Sequence, residues 1–178
     1  MPLRGPVPVK LYKKESSEVL KLGPMTIYIF EDGSNTDNRV GCMTLALPPA
    51  ASGPPMHWHR FHDECFFVTK GTIRFSTPEG DVDAEEGQLM VVPPRAIHTF
   101  SNPSDTVPAE FFMTSTPGMH FSFPPCGEEV QCVEADLLTA DFRMMAKGGT
   151  EGKKLTKDET QHLMALFGTF PPDVESEP

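Results

Sequence analysis

Short apolar runs, broken every six to ten residues by Gly, Pro, Asn or Asp, dominate the first two thirds of the chain and predict many short strands. Met25-Thr26-Ile27-Tyr28-Ile29-Phe30 is β-branched and aromatic, and Glu31-Asp32-Gly33-Ser34-Asn35 closes it as a turn cluster. Val40 to Leu47 predicts the next strand, and a Pro/Ala/Gly loop follows from Pro48 to Pro55. Residues 64 to 76 predict two strands meeting at Lys70-Gly71, with Thr77-Pro78-Glu79-Gly80 as a hairpin turn. Gly87 to Val92 reads as a strand that ends at Pro93-Pro94. Val107 to Ser115 adds another, with Phe111 and Met113 on one face and Phe112 and Thr114 on the other. This is the rhythm of an all-β jelly roll.

The pattern changes beyond Gly118. Val130, Val133, Leu137 and Met144 or Met145 recur at helical intervals, and Thr156-Lys157-Asp158-Glu159 forms a capping box for a second helix that Gly168 stops. The expected organisation is an N-terminal arm over 1–24, Pro-rich and basic, a barrel over 25–118 and a helical extension over 119–178. The helices are expected to pack on the outer sheet, and Pro171 to Pro178, acidic and Pro-rich, to fray.

Chemistry concentrates in two blocks. In the first, His57 and His59 lie two apart on a predicted strand, so both imidazoles face one side while Trp58 faces the other. The residues between His59 and Glu64 suffice for a tight reversal that returns Glu64, Phe66 and Val68 along an inner face. In the second, the turn at Pro93-Pro94 delivers His98. Three neutral imidazoles and a carboxylate suit a divalent iron, manganese, nickel, copper or zinc ion and leave positions open for water or substrate. His62, beside Asp63 in the reversal, reads as a solvent-facing loop residue or, more sharply, as a hydrogen-bond partner of the site.

These blocks resemble the paired motifs of the cupin superfamily. His57, His59, Glu64 and Gly71 match the first motif, and Gly87, Pro93, His98 and Asn102 the second, with fifteen residues between Gly71 and Gly87. Two departures stand out. Gly53 is closer to His57 than the motif expects, and Arg95 occupies the second motif's glycine position, where it is expected to alter the turn or carry a charge inward. The clear match spans about residues 53–102. It implies a double-stranded β-helix with a metal centre made by His57, His59, Glu64 and His98. The superfamily includes dioxygenases, decarboxylases, isomerases, cyclases and non-catalytic binding proteins, so fold alone does not fix the chemistry. A weaker similarity, to small cupins of fungal polyketide and other natural-product pathways, points to an oxygenase of an aromatic or polyketide-like molecule. A redox-neutral isomerase, cyclase or decarboxylase is the second reading, and a binding module the third. In aromatic-ring oxygenases of the family the glutamate is a ligand or swings off to act as a base, a role that falls here to Glu64. Phe66, Met90, Phe100, Phe111 and Met113 are expected to line an apolar chamber, with Arg60, His62 and Arg95 as polar anchors or catalytic partners.

Composition narrows the partners. A net charge of −10 disfavours nucleic acid and anionic membranes, leaving a small molecule as the expected ligand. Neither a signal-peptide run nor an apolar stretch of membrane length is visible, so a soluble, cytoplasmic protein is expected. Cys42, Cys65, Cys126 and Cys132 lack metal-site spacing and are expected to be thiols, Cys65 on the face opposite Glu64. A homodimer is expected from the resemblance.

Overall fold

The computed structural model describes residues 6, 8–36, 39–116, 156, 165 and 168–173. After a 3-10 turn at Lys14–Ser16, the strands in chain order are β1 (Glu18–Leu22), β2 (Met25–Asp32), β3 (Gly41–Leu47), β4 (Trp58–His59), β5 (Glu64–Lys70), β6 (Thr72–Thr77), β7 (Gly80–Glu85), β8 (Leu89–Val92), β9 (Thr99–Ser101), β10 (Ala109–Ser115) and β11 (Thr169–Phe170). Six form one sheet in the order β1-β2-β3-β10-β5-β8, and three form a second in the order β7-β6-β9. β4 pairs with β11, and bridges at His57↔His98 and Ser52↔Ser101 tie the segment around β4 to that around β9. Every strand pairing among the described residues is antiparallel, the arrangement of a jelly roll.

Period-two alternation sets which side chains enter the core. Met25, Ile27 and Ile29 in β2, and Phe111 and Met113 in β10, are buried while their neighbours are partly exposed. β10 lies between β3 and β5, and its register sets Phe111 beside Leu45 and Val68, and Met113 beside Met43 and Phe66. The Phe66 ring centroid stands 5.2 Å from Phe75, 5.3 Å from Phe111 and 6.0 Å from Phe100, so this ring joins the two sheets. Burial of each such side chain contributes about 1.5–3 kcal/mol.

Two glycines are forced. A Cβ at Gly53 would lie 2.6 Å from the Phe100 carbonyl oxygen, because the Gly53 amide already donates to that carbonyl at 2.8 Å. Gly71 turns β5 into β6 with a φ of 70°, and a Cβ there would lie 2.9 Å from the Pro108 carbonyl oxygen.

The N-terminal region departs from the expected arm. β1 pairs along β2 from Glu18↔Ile29 to Leu22↔Met25 across Gly23-Pro24, so the first sheet begins at residue 18. Tyr12 also donates a hydrogen bond to the buried Glu31 carboxylate, which accepts from the Asn35 amide at 2.9 Å. The helix expected over 130–145 lies outside the described residues, as does nearly all of that expected over 156–168. At the end of the second, Gly168 has a φ of 71° and its amide donates to the Ala165 carbonyl at 3.1 Å. Thr169 and Phe170, assigned from sequence to the helical extension, form a strand instead.

Candidate metal centre

Backbone pairing brings the two histidine blocks together. The His57 amide donates to the His98 carbonyl at 3.0 Å, and the His98 amide returns the bond to His57 at 2.8 Å, so the two residues stand directly opposite. β4 carries His59 two positions on, and the Arg95 amide donates to its carbonyl at 2.7 Å. Glu64 begins β5, its side chain inward with Phe66 and Val68. All four side chains are buried, with exposures of 2–5%.

The donor atoms converge. One ring nitrogen from each of His57, His59 and His98 lies within 4.8 Å of the others. His57 Nε2 is 3.1 Å from His59 Nε2, Glu64 Oε2 is 3.0 Å from His98 Nε2, and Glu64 Oε1 is 3.5 Å from His59 Nε2. Donors at right angles about an ion, each about 2.1 Å from it, stand about 3 Å apart, so these separations suit a transition-metal ion.

Hydrogen bonding decides where the protons sit. His57 Nδ1 is 2.8 Å from the Pro55 carbonyl and His98 Nδ1 is 3.1 Å from the Ala96 carbonyl. A carbonyl can only accept, so both rings carry their proton on Nδ1 and turn an Nε2 lone pair inward. That explains why Glu64 Oε2, although 3.0 Å from His98 Nε2, has no hydrogen-bond donor. A buried oxygen facing a nitrogen lone pair is costly unless a cation lies between them.

Electrostatics favour the same charge state. Burial, reinforced by His98, pushes the His57 imidazole down to about 4, against the opposite pull of Glu64. Burial likewise lowers His59 to about 3. For Glu64, burial raises the carboxyl, but its charge interactions with the surrounding imidazoles, His59 foremost, outweigh this and bring it down to about 2. At neutral pH His57 and His59 are therefore neutral imidazoles and Glu64 a carboxylate, the forms that bind metal.

The other candidate residues are placed less uniformly. His62 is buried, 1% exposed, correcting the solvent-facing reading: its Nδ1 lies 2.9 Å from the Thr116 carbonyl, and its ring meets His59 edge-on at 5.4 Å. Arg95 keeps the left-handed backbone of the motif glycine, with a φ of 69°, and its side chain is exposed, so the turn is preserved and no charge is carried inward. Arg60 is also exposed, its guanidinium 5.6 Å from the Phe61 ring centroid. Phe66, Phe100, Phe111 and Met113 belong to the core, and Met90 packs against it half-buried. Phe111 is 0% exposed and Phe66 and Met113 are 1% exposed, the burial of core side chains. Asn102 is a structural clamp: its amide nitrogen reaches the Pro48 and Val107 carbonyls at 3.0 and 2.8 Å, and its oxygen accepts from the Ser104 amide at 3.0 Å. Among the described residues Cys42 and Cys65 form no disulfide, and Cys126 and Cys132 lie outside the described residues.

Sequence reasoning missed Thr169. Its hydroxyl lies 2.9 Å from His59 Nδ1, and β11 holds it there through the pairing Thr169↔His59. Phe170 stacks on Trp58 at 4.8 Å, and the Trp58 indole donates to the Pro171 carbonyl at 3.1 Å. The only local signal is a β-branched and an aromatic residue between Gly168 and Pro171.

Comparison with known proteins agrees with this architecture. A family model described as "Cupin domain" matches residues 43–115. No curated protein matches the sequence. Among solved structures, an RmlC-like cupin from Shewanella frigidimarina aligns with a TM-score of 0.52 at 17% identity, over 63% of this chain and 95% of that one. A predicted oxalate decarboxylase from Thermotoga maritima aligns with a TM-score of 0.56 at 15% identity, over 60% and 98% of the two chains. The polyketide cyclase RemF from Streptomyces resistomycificus aligns at 0.52 and 16% identity, over 61% and 79%. At such identities the likeness is one of fold. Among the described residues no helix is long and apolar enough to cross a membrane.

Proposed function

We propose that the chain, whose residues 43–115 match the model described as "Cupin domain", is a metal-dependent enzyme of small-molecule metabolism, with His57, His59, His98 and Glu64 as the ligands of one divalent transition-metal ion. The observation that carries this reading is the inward convergence of imidazole nitrogens on the donorless oxygen of Glu64. When bound, such an ion supplies Lewis acidity and a position for dioxygen or a substrate oxygen.

The residues of the chain supply the rest. Pro55 and Ala96 orient two imidazoles through their carbonyls, and burial of the cluster excludes bulk water. Glu64 Oε2, the oxygen without a donor, is the atom placed to take a proton from a substrate. Beside these imidazoles its carboxyl is held near 2, so the carboxylate is a weak base there.

The finer reading is an oxygenase of an aromatic or polyketide-like molecule. A redox-neutral reaction on a similar substrate is the second reading, favoured by the cyclase and decarboxylase names of two similar folds. Elemental analysis of the purified protein, followed by turnover of phenolic and polyketide-like compounds with and without dioxygen, tests both. The oxygenase reading expects a bound transition metal and product only with dioxygen, consumed in step with product. Equal product without dioxygen overturns it in favour of the redox-neutral reading, and a protein that retains no transition metal overturns the metal-dependent assignment.

A further inference from the structure

Of the three histidines in the cluster, two have partners that are built in locally. His57 and His98 each hold a carbonyl two residues earlier in the chain, and a carbonyl permits one tautomer only. His59 differs, because its Nδ1 faces the Thr169 hydroxyl, contributed from outside the matched domain. A hydroxyl can donate or accept, so it is compatible with either tautomer of its partner.

That freedom matters because of the 3.1 Å approach of His59 Nε2 to His57 Nε2. His57 presents a lone pair there, its proton being held by Pro55. Without an ion, the favourable arrangement puts a proton on His59 Nε2, donated to His57, while Thr169 donates to His59 Nδ1. Coordination through Nε2 requires the other tautomer, with His59 Nδ1–H donating to Thr169. Only the proton positions change, and the hydroxyl satisfies His59 in both.

We infer that Thr169 is a positioning residue for His59, whose hydroxyl lets this histidine alone of the three exchange tautomers as the centre takes up its ion. The inference rests on the metal centre proposed above. It makes β11 part of the working site: Thr169 is 2% exposed and is fixed by the Trp58–Phe170 stack and by the Arg60 amide donating to the Gly168 carbonyl at 2.8 Å.

The test compares wild type, Thr169→Val and Thr169→Ser as full chains. Valine keeps the branched shape without the hydroxyl, and serine keeps the hydroxyl. Zinc affinity is read by chelator competition, and imidazole tautomers by nitrogen-15 shifts in histidine-labelled protein with and without zinc. The expected result is about tenfold weaker zinc binding in Thr169→Val and affinity within about twofold of wild type in Thr169→Ser. In wild type His59 should move its proton from Nε2 to Nδ1 on zinc binding, while His57 and His98 keep theirs on Nδ1. Undiminished affinity in Thr169→Val, equal losses in the two variants, or an unchanged His59 tautomer overturns the inference while wild type still binds zinc. Failure of wild type itself to bind zinc or any other transition metal overturns the metal centre and, with it, this role for Thr169.

Discussion

Acidification of the metal-free protein should destabilise it steeply between pH 6 and pH 5, because two imidazoles are buried in neutral form. An unfolded chain takes up a proton at each near 6.5, whereas the native state resists until about 4 for His57 and about 3 for His59. Through this interval the unfolded state therefore binds more protons, and stability falls as pH falls. Each proton of difference corresponds to about 1.4 kcal/mol per pH unit, so the pair costs about 2–3 kcal/mol between pH 6 and pH 5. Glu64 acts in the same direction but at lower pH, since its carboxyl is depressed from 4.5 to about 2 and its contribution is lost only below 4.5. The interval thus isolates the histidines. Urea denaturation with a chelator present, across pH 5 to 7, measures the slope in wild type and in a His57→Gln/His59→Gln double variant. The double variant should be flatter by about 2–3 kcal/mol per pH unit. Identical slopes would show that the imidazoles are solvated or already charged in the folded protein, and the assigned charge state of the site would be wrong.

Other consequences follow from neighbouring residues. Arg95→Gly should raise stability by about 0.5–1 kcal/mol in urea denaturation, since a residue with a Cβ is strained in the left-handed region, and should leave metal affinity unchanged because the exposed side chain makes no part of the centre. Asn102→Ala should lower stability by about 2–4 kcal/mol in the same assay, because it leaves the Pro48 and Val107 carbonyls and the Ser104 amide without their partner.

Much of the fold was legible because alternation determines which side of a strand enters the core. The inward set of β10 and the inward run of Glu64, Phe66 and Val68 follow from period two alone. The His-x-His spacing was informative for the same reason, since residues two apart on a strand share a face. β1 was hidden because it is only five residues long and two of them, Glu18 and Lys21, are charged, as suits a strand that among the described residues lies at the sheet edge. His62 was misread because its partner, the Thr116 carbonyl, lies 54 positions away and leaves no local trace. Whether Phe66 and Phe111 fill the core or line a chamber stays open in the sequence, because a core ring and a pocket ring have the same pattern there. Thr169 escaped because two residues cannot display a period.

The family match begins at residue 43, yet Met25, Ile27 and Ile29 of β2 belong to the buried core. Excision of residues 43–115 would strip β2, one of its two partners, from β3, leaving that edge's backbone groups open and uncovering Met43 and Leu45, the combination that drives strand-to-strand aggregation. A fragment cut at the limits of sequence similarity would precipitate or bind neighbouring copies, and the smallest stable piece must reach back at least to the start of β2.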